Sequence, residues 1–144
     1  LTPELVWNPK WMDHANKAVA LEEVILSTAT PAETAARLSR LSGLPVEPDP
    51  AGGFLLRLPG AAAAAGPFAS VMETRVRILT EAALGSVLPG VSPPASPFMA
   101  GMVIRTADGG AAARRVLAGI PTVEAPAGVM VPPRFAAGAA IVFT

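Results

Sequence analysis

Hydrophobic and polar positions along this chain follow one pattern twice. From Leu21 to Thr28, Val24 and Leu26 alternate with Glu23, Ile25 and Ser27, a period of two that predicts a strand. The period then changes to that of a helix. Thr30 can serve as N-cap, Pro31 fits the first helical position and Glu33 can close a capping box. Ala32, Ala35, Leu38 and Leu41 form the predicted buried stripe, with Glu33, Arg37 and Arg40 facing outward. Gly43 supplies a left-handed C-terminal residue and Pro45 prevents continuation. The second statement is GMVIRTADGGAAARRVLAGIP, Gly101 to Pro121. Here the strand runs from Phe98 to Thr106 and Asp108 is the cap. Ala112, Val116 and Leu117 point inward, Arg114 and Arg115 lie at the surface, and Gly119 ends the helix. The echo continues through Val46-Glu47-Pro48 with Ala51-Gly52, and Val123-Glu124-Ala125-Pro126 with Ala127-Gly128.

The remaining segments fill out two units. A turn over 48–53 leads to a strand from Phe54 to Leu58. The alanine-rich stretch from Gly60 to Ser70 reads as a mobile loop, because five alanines between glycines cannot hold an isolated helix. Met72 to Thr80 alternates again, with Thr74, Val76 and Ile78 opposing Glu73, Arg75 and Arg77, a strand with one polar face. A short helix from Glu81 to Leu88, capped by Thr80, precedes the Pro-rich linker 89–94. Thr122 to Val131 and Ala139 to Phe143 supply the last strands. This is an α+β pattern of two strand–helix–strand–strand–strand modules, 21–90 with its linker and 91–144, preceded by an arm, 1–20. Trp7 and Trp11 in the arm read as apolar anchors to the body, with ligand stacking as the alternative.

Composition narrows the classes. With 51% hydrophobic and 15% charged residues, the chain is outside the disordered class, and its 144 residues suit one domain. A net charge of zero gives no reason to expect a nucleic-acid or acidic-membrane partner. The absence of cysteine excludes disulfides and thiolate metal sites. No apolar run approaches the roughly 20 residues of a membrane span, so a soluble cytoplasmic domain is expected. Leu at the first position suggests a fragment or processed form.

LEEVILSTATPAETAARL and MVIRTADGGAAARRVL, repeated at matching positions, together with the ending VPPRFAAGAAIVFT, resemble the vicinal-oxygen-chelate superfamily of glyoxalase and extradiol dioxygenase domains. The resemblance covers Leu21 to Thr144. It implies a curved mixed sheet around a cleft, with helices outside. It also implies a tandem partner domain or homodimer, with the arm as connector. Active members place a divalent metal in the cleft, held by His, Glu or Gln on a module's first strand and Glu on a later one. Glu23 falls at the first-strand position of module one. Gly101 stands at the equivalent place in module two, and Ala140, Ile141, Val142 and Phe143 occupy the last strand. A metal needs about three convergent ligands. One carboxylate remains, so a metal-free domain is expected, without cofactor. The rival is a lyase or dioxygenase whose ligands are completed by another domain or subunit.

The strand faces offer a second constellation. Glu23, Ser27, Glu73, Arg75, Arg77 and Arg105, joined by Arg57, are expected to face the cleft. Their guanidiniums match a small anion in a bidentate fork, and Glu23 is a candidate base if burial raises its pKa. The same alternation equally reads as cross-strand ion pairs on a surface. Asp13 and His14 can be written as an orienter and a base, or as surface groups of an irregular arm. Ala51-Gly52-Gly53 and Gly109-Gly110 lack the spacing and lysine of a phosphate loop.

Overall fold

A computed structural model of the chain describes residues 13–60 and 72–144. The expectations for Trp7, Trp11 and the alanine run fall outside these residues. The class is α+β. Strands β1 (Ala18–Ser27), β2 (Val46–Pro48), β3 (Phe54–Leu58) and β4 (Thr74–Leu79) belong to the first half, with helix α1 (Pro31–Ser42) after β1. A short helix α2 (Glu81–Leu84) leads to the second half. That half contains β5 (Phe98–Thr106), α3 (Ala111–Val116), β6 (Val123–Ala125), β7 (Gly128–Val131) and β8 (Ala140–Phe143).

All eight strands form one sheet in the order β2-β3-β4-β1-β5-β8-β7-β6, which is palindromic about the antiparallel β1–β5 pair. Within each half the first strand pairs in parallel with the last, and the register repeats. Glu23 opposite Arg75 corresponds to Gly101 opposite Ala140, and Leu26 opposite Ile78 to Ile104 opposite Phe143. The backbone repeats as well. Thr28 N–H donates to Leu79 O at 2.9 Å, and Thr106 N–H to Thr144 O at the same distance. Gly53 and Gly128 occupy equivalent places. A Cβ there would lie 2.3 Å from Ile78 O and 2.2 Å from Phe143 O, and φ is positive at both.

The echo at Val46-Glu47 and Val123-Glu124 diverges in space. The turn after β2 spans 49–53, whereas the turn after β6 spans 126–127. Glu47 therefore pairs with Leu55 and Glu124 with Val129, placing the two glutamates on opposite faces of the sheet. Glu47 bonds Arg57, while Glu124 bonds Arg114 of α3.

The sheet has two distinct faces. On the outer face, α1 lies near β3 and β4, and Ala113 of α3 packs with Val129, Val131 and Phe143. On the inner face, Ile25, Val103, Met130 and Val142 meet Leu84, Val87 and Leu88 from α2 and the linker. Leu84 of α2, and Leu88 of the linker, which runs over 85–97 rather than 89–94, have no exposed surface, so both segments are part of the core.

Helix ends follow local chemistry with differences from expectation, α2 stopping at Leu84 rather than Leu88 and α3 at Val116, before Gly119. Gly43 ends α1 in the left-handed conformation, and Thr80 caps α2 by accepting the Ala83 N–H. Thr30, however, makes no side-chain cap bond; Thr28 Oγ1 accepts the Thr30 N–H instead. Asp108 stands before the αL residue Gly110 and accepts from the Ala112 N–H. The predicted stripe of α1 is only partly covered: Ala35 is buried, Leu38 is half-buried, Ala32 is exposed and Leu41 is 84% exposed. In α3, Ala112 and Ala113 are buried while Val116 is exposed.

Candidate functional site

Strand alternation brings Glu23, Arg75, Arg77 and Arg57 to the inner face of the first half. The parallel β1–β4 register puts Glu23 beside Arg75, and the β3–β4 register puts Arg57 beside it on the other side. Arg75 Nη2 lies 2.8 Å from Glu23 Oε1, and Arg77 Nη1 lies 3.6 Å from Glu23 Oε2. Arg57 donates to Glu47 at 3.1 Å and to Glu73 at 2.7 Å. Arg105 reaches the cluster from β5.

Besides Glu47, two carboxylates that strand alternation did not disclose complete the network. Alternation puts Glu22 opposite to Glu23, but β1 bulges against β5, where Leu21 pairs with Ile104 and Glu23 with Val103. Glu22 is the extra residue, and the bulge turns its carboxylate toward the same arginines. Its Oε1 lies 2.8 Å from Arg75 Nη2 and 3.0 Å from Arg105 Nη2. Its Oε2 accepts from Arg105 Nε at 3.1 Å and from the Thr144 hydroxyl at 3.3 Å. Glu22 thus links both halves of the sheet.

The second is Asp49, in the turn that only the first half possesses. Arg77 donates to it in a fork, Nε to Oδ2 at 2.7 Å and Nη2 to Oδ1 at 2.6 Å. The Ala51 N–H donates to Oδ1 at 2.8 Å, an Asx-type turn that fixes the orientation of the carboxylate. Burial works to raise the Asp49 pKa. The Arg77 hydrogen bonds, the Ala51 N–H and the charges of Arg77 and Arg75 outweigh it and hold the carboxyl below its ordinary value. The same bonds raise the Arg77 pKa against the opposing effect of burial. The Pro48-Asp49-Pro50 sequence marked a turn; the carboxylate's partner lies 28 residues away and no local signal names it.

Four guanidiniums (Arg57, Arg75, Arg77, Arg105) therefore face five carboxylates (Glu22, Glu23, Glu47, Asp49, Glu73). Each arginine has at least one carboxylate partner. Two cavities flank Arg75. One of about 180 Å³ is lined by Glu23, Asp49, Pro50, Leu55, Arg57, Arg75 and Arg77. The other, about 280 Å³, is lined by Glu22, Met72, Glu73, Arg75 and Arg105. Arg75 borders both and its side chain is 34% exposed.

Other expected members lie elsewhere. Ser27 is buried at the end of β1 and lines a separate cavity with Thr28, Thr80 and Ser96. His14 borders a cavity with Val19 and Ile104, while the Asp13 carboxylate accepts from Lys17 at 3.0 Å. In the second half, the positions equivalent to Glu23, Arg75 and Arg77 are Gly101, Ala140 and Val142. A Cβ at Gly101 would lie 2.9 Å from Leu88 Cδ1, because the linker fills that half.

A divalent metal does not fit this donor set. Both Glu23 oxygens are turned to guanidiniums, whose positive charge opposes a cation at the same place. Among the described residues, no group of three or more His, Asp or Glu side chains is arranged to hold a metal ion. Also among them, no helix is long and apolar enough to cross a membrane. Comparison with family models, with curated proteins and with solved structures finds no match to this chain.

Proposed function

We propose that the chain is a metal-free, glyoxalase-like domain that binds a small organic molecule rather than transforming one. The observation that carries this reading is the fate of the positions at which that superfamily places its metal ligands. In the first half Glu23 is engaged by Arg75 and Arg77, and in the second Gly101 lies under Leu88. The palindromic strand order and repeated register suit a pair of βαβββ modules joined edge to edge. On the inner face, a ligand enters beside Arg75, the guanidinium common to both cavities. Because carboxylates outnumber arginines there, such a ligand offers both donors and acceptors and exchanges partners within the network. A tandem domain or second copy closing over this face is compatible with the same arrangement.

Metal analysis and ligand screening test the reading together. Purified protein is expected to carry no stoichiometric transition metal, and a panel of small polar molecules is expected to raise the unfolding temperature of wild type but not of Arg75→Glu. A stoichiometric metal that disappears in Glu23→Ala would overturn the proposal in favour of a metal-dependent lyase or dioxygenase. No stabilisation by any member of the panel would leave only a structural role for this face.

A further inference from the structure

Another groove lies on the opposite, outer face and has different chemistry. It measures about 400 Å³ and is lined by Leu26 of β1, by Thr34, Arg37, Leu38 and Leu41 of α1, and by Pro97, Phe98 and Met99 entering β5. The four α1 residues are spaced as one helical face. Leu38 and Leu41 belong to the apolar stripe the sequence destines for burial, yet Leu41 is 84% exposed, as is 44% of Met99 beside it. Nothing among the described residues covers them.

Arg37 distinguishes this groove from a bare apolar face. Arg57, Arg75, Arg77, Arg105, Arg114 and Arg115 each have a carboxylate within ion-pairing distance. Among the described residues Arg37, Arg40 and Arg134 have none, and of these three Arg37 lines the groove, with no acidic residue beside it. The arrangement is an apolar floor with one uncompensated guanidinium at its wall. A guanidinium recognises a carboxylate by a bidentate fork, and the floor recompenses an alkyl or aryl body by removing it from water.

We propose that this groove binds a small amphiphilic carboxylate, with its anionic head on Arg37 and its apolar body over Leu26, Leu38, Leu41 and Met99. At roughly 30 Å³ per small group, the volume holds about a dozen non-hydrogen atoms, the size of a medium-chain acid. The site is independent of the network on the inner face.

Methyl NMR on the full chain tests it, with sodium octanoate as probe and octan-1-ol as its neutral counterpart. Octanoate is expected to shift the Leu26, Leu38, Leu41 and Met99 methyl resonances saturably. Its affinity should fall at least about tenfold in Arg37→Glu, while the response to octanol is unchanged. Met99→Asp should abolish both responses. Arg37 is exposed and pairs with nothing among the described residues, so Arg37→Glu is expected to fold as wild type does. Absence of saturable shifts in wild type, or equal octanoate affinity in Arg37→Glu, would overturn the proposal. Shifts of the same resonances with protein concentration alone, with no response to octanoate, would overturn it in favour of a second copy of the chain. Metal content and Arg75→Glu leave these readouts untouched, so the two proposals fail separately.

Discussion

Asp49→Ala is expected to be among the most destabilising single changes to a polar residue in this chain. It deletes the acceptor of two Arg77 hydrogen bonds, at 2.7 and 2.6 Å, and of the Ala51 N–H at 2.8 Å. The Asp49 side chain is 1% exposed and that of Arg77 16% exposed, so water cannot readily replace either partner. Removing one member of a buried pair costs about 3–5 kcal/mol. Glu23 remains 3.6 Å from Arg77 Nη1 and retains part of the compensation. That places the expectation at the lower end, about 3 kcal/mol. For a chain of this length, such a loss lowers the thermal midpoint by about 10 °C. Urea unfolding followed by far-UV circular dichroism measures it, with the slope unchanged if the native fold is retained. The pH dependence supplies a second readout. The folded Asp49 pKa is depressed, so its contribution is fully present above the ordinary value of 3.8 and is lost as pH falls through the folded value. The gap between wild type and Asp49→Ala should therefore be constant near neutrality and narrow below that value. A loss under about 1 kcal/mol, typical of exposed pairs, or a gap that widens in acid, would refute the reasoning.

Further outcomes concern the backbone and the linker. Gly53→Ala and Gly128→Ala should each destabilise by more than about 2 kcal/mol, since the new Cβ would meet a carbonyl oxygen at 2.3 or 2.2 Å with φ positive; calorimetry on each variant checks this. Leu88→Ala should cost about 2–5 kcal/mol as a core truncation, because Leu88 is wholly buried against the inner face. Gly101→Ala is also expected to destabilise, through Leu88 Cδ1 and Ala140 O, both 2.9 Å from the new Cβ. Combined with Leu88→Ala, its cost should be less than additive, since only Ala140, through its carbonyl oxygen and its Cβ, then remains in the way. Strict additivity in chemical denaturation would show that the linker does not constrain this position.

The order of strands and helices, the repeat, and the Gly43 and Thr80 helix boundaries were legible in the sequence, because each depends on periodicity or on chemistry within a few residues. Alternation alone put Glu23, Arg75, Arg77 and Arg57 on one face. Tertiary structure decided what that face became. The β1–β5 bulge, which depends on how two distant strands register, brought Glu22 in beside Glu23. A turn five residues long in one half and two in the other gave the first half Asp49 and sent Glu47 and Glu124 to opposite faces. Helix α2 and the linker buried Leu84 and Leu88 against the second half, a packing that no local pattern encodes. Periodicity marked Leu41 as apolar and inward on α1. Only the placement of α1 beside Leu26 and Met99 made that stripe the wall of an open groove. Local sequence sets which face a side chain can take; whether that face is closed, charged or open depends on elements far away in the chain.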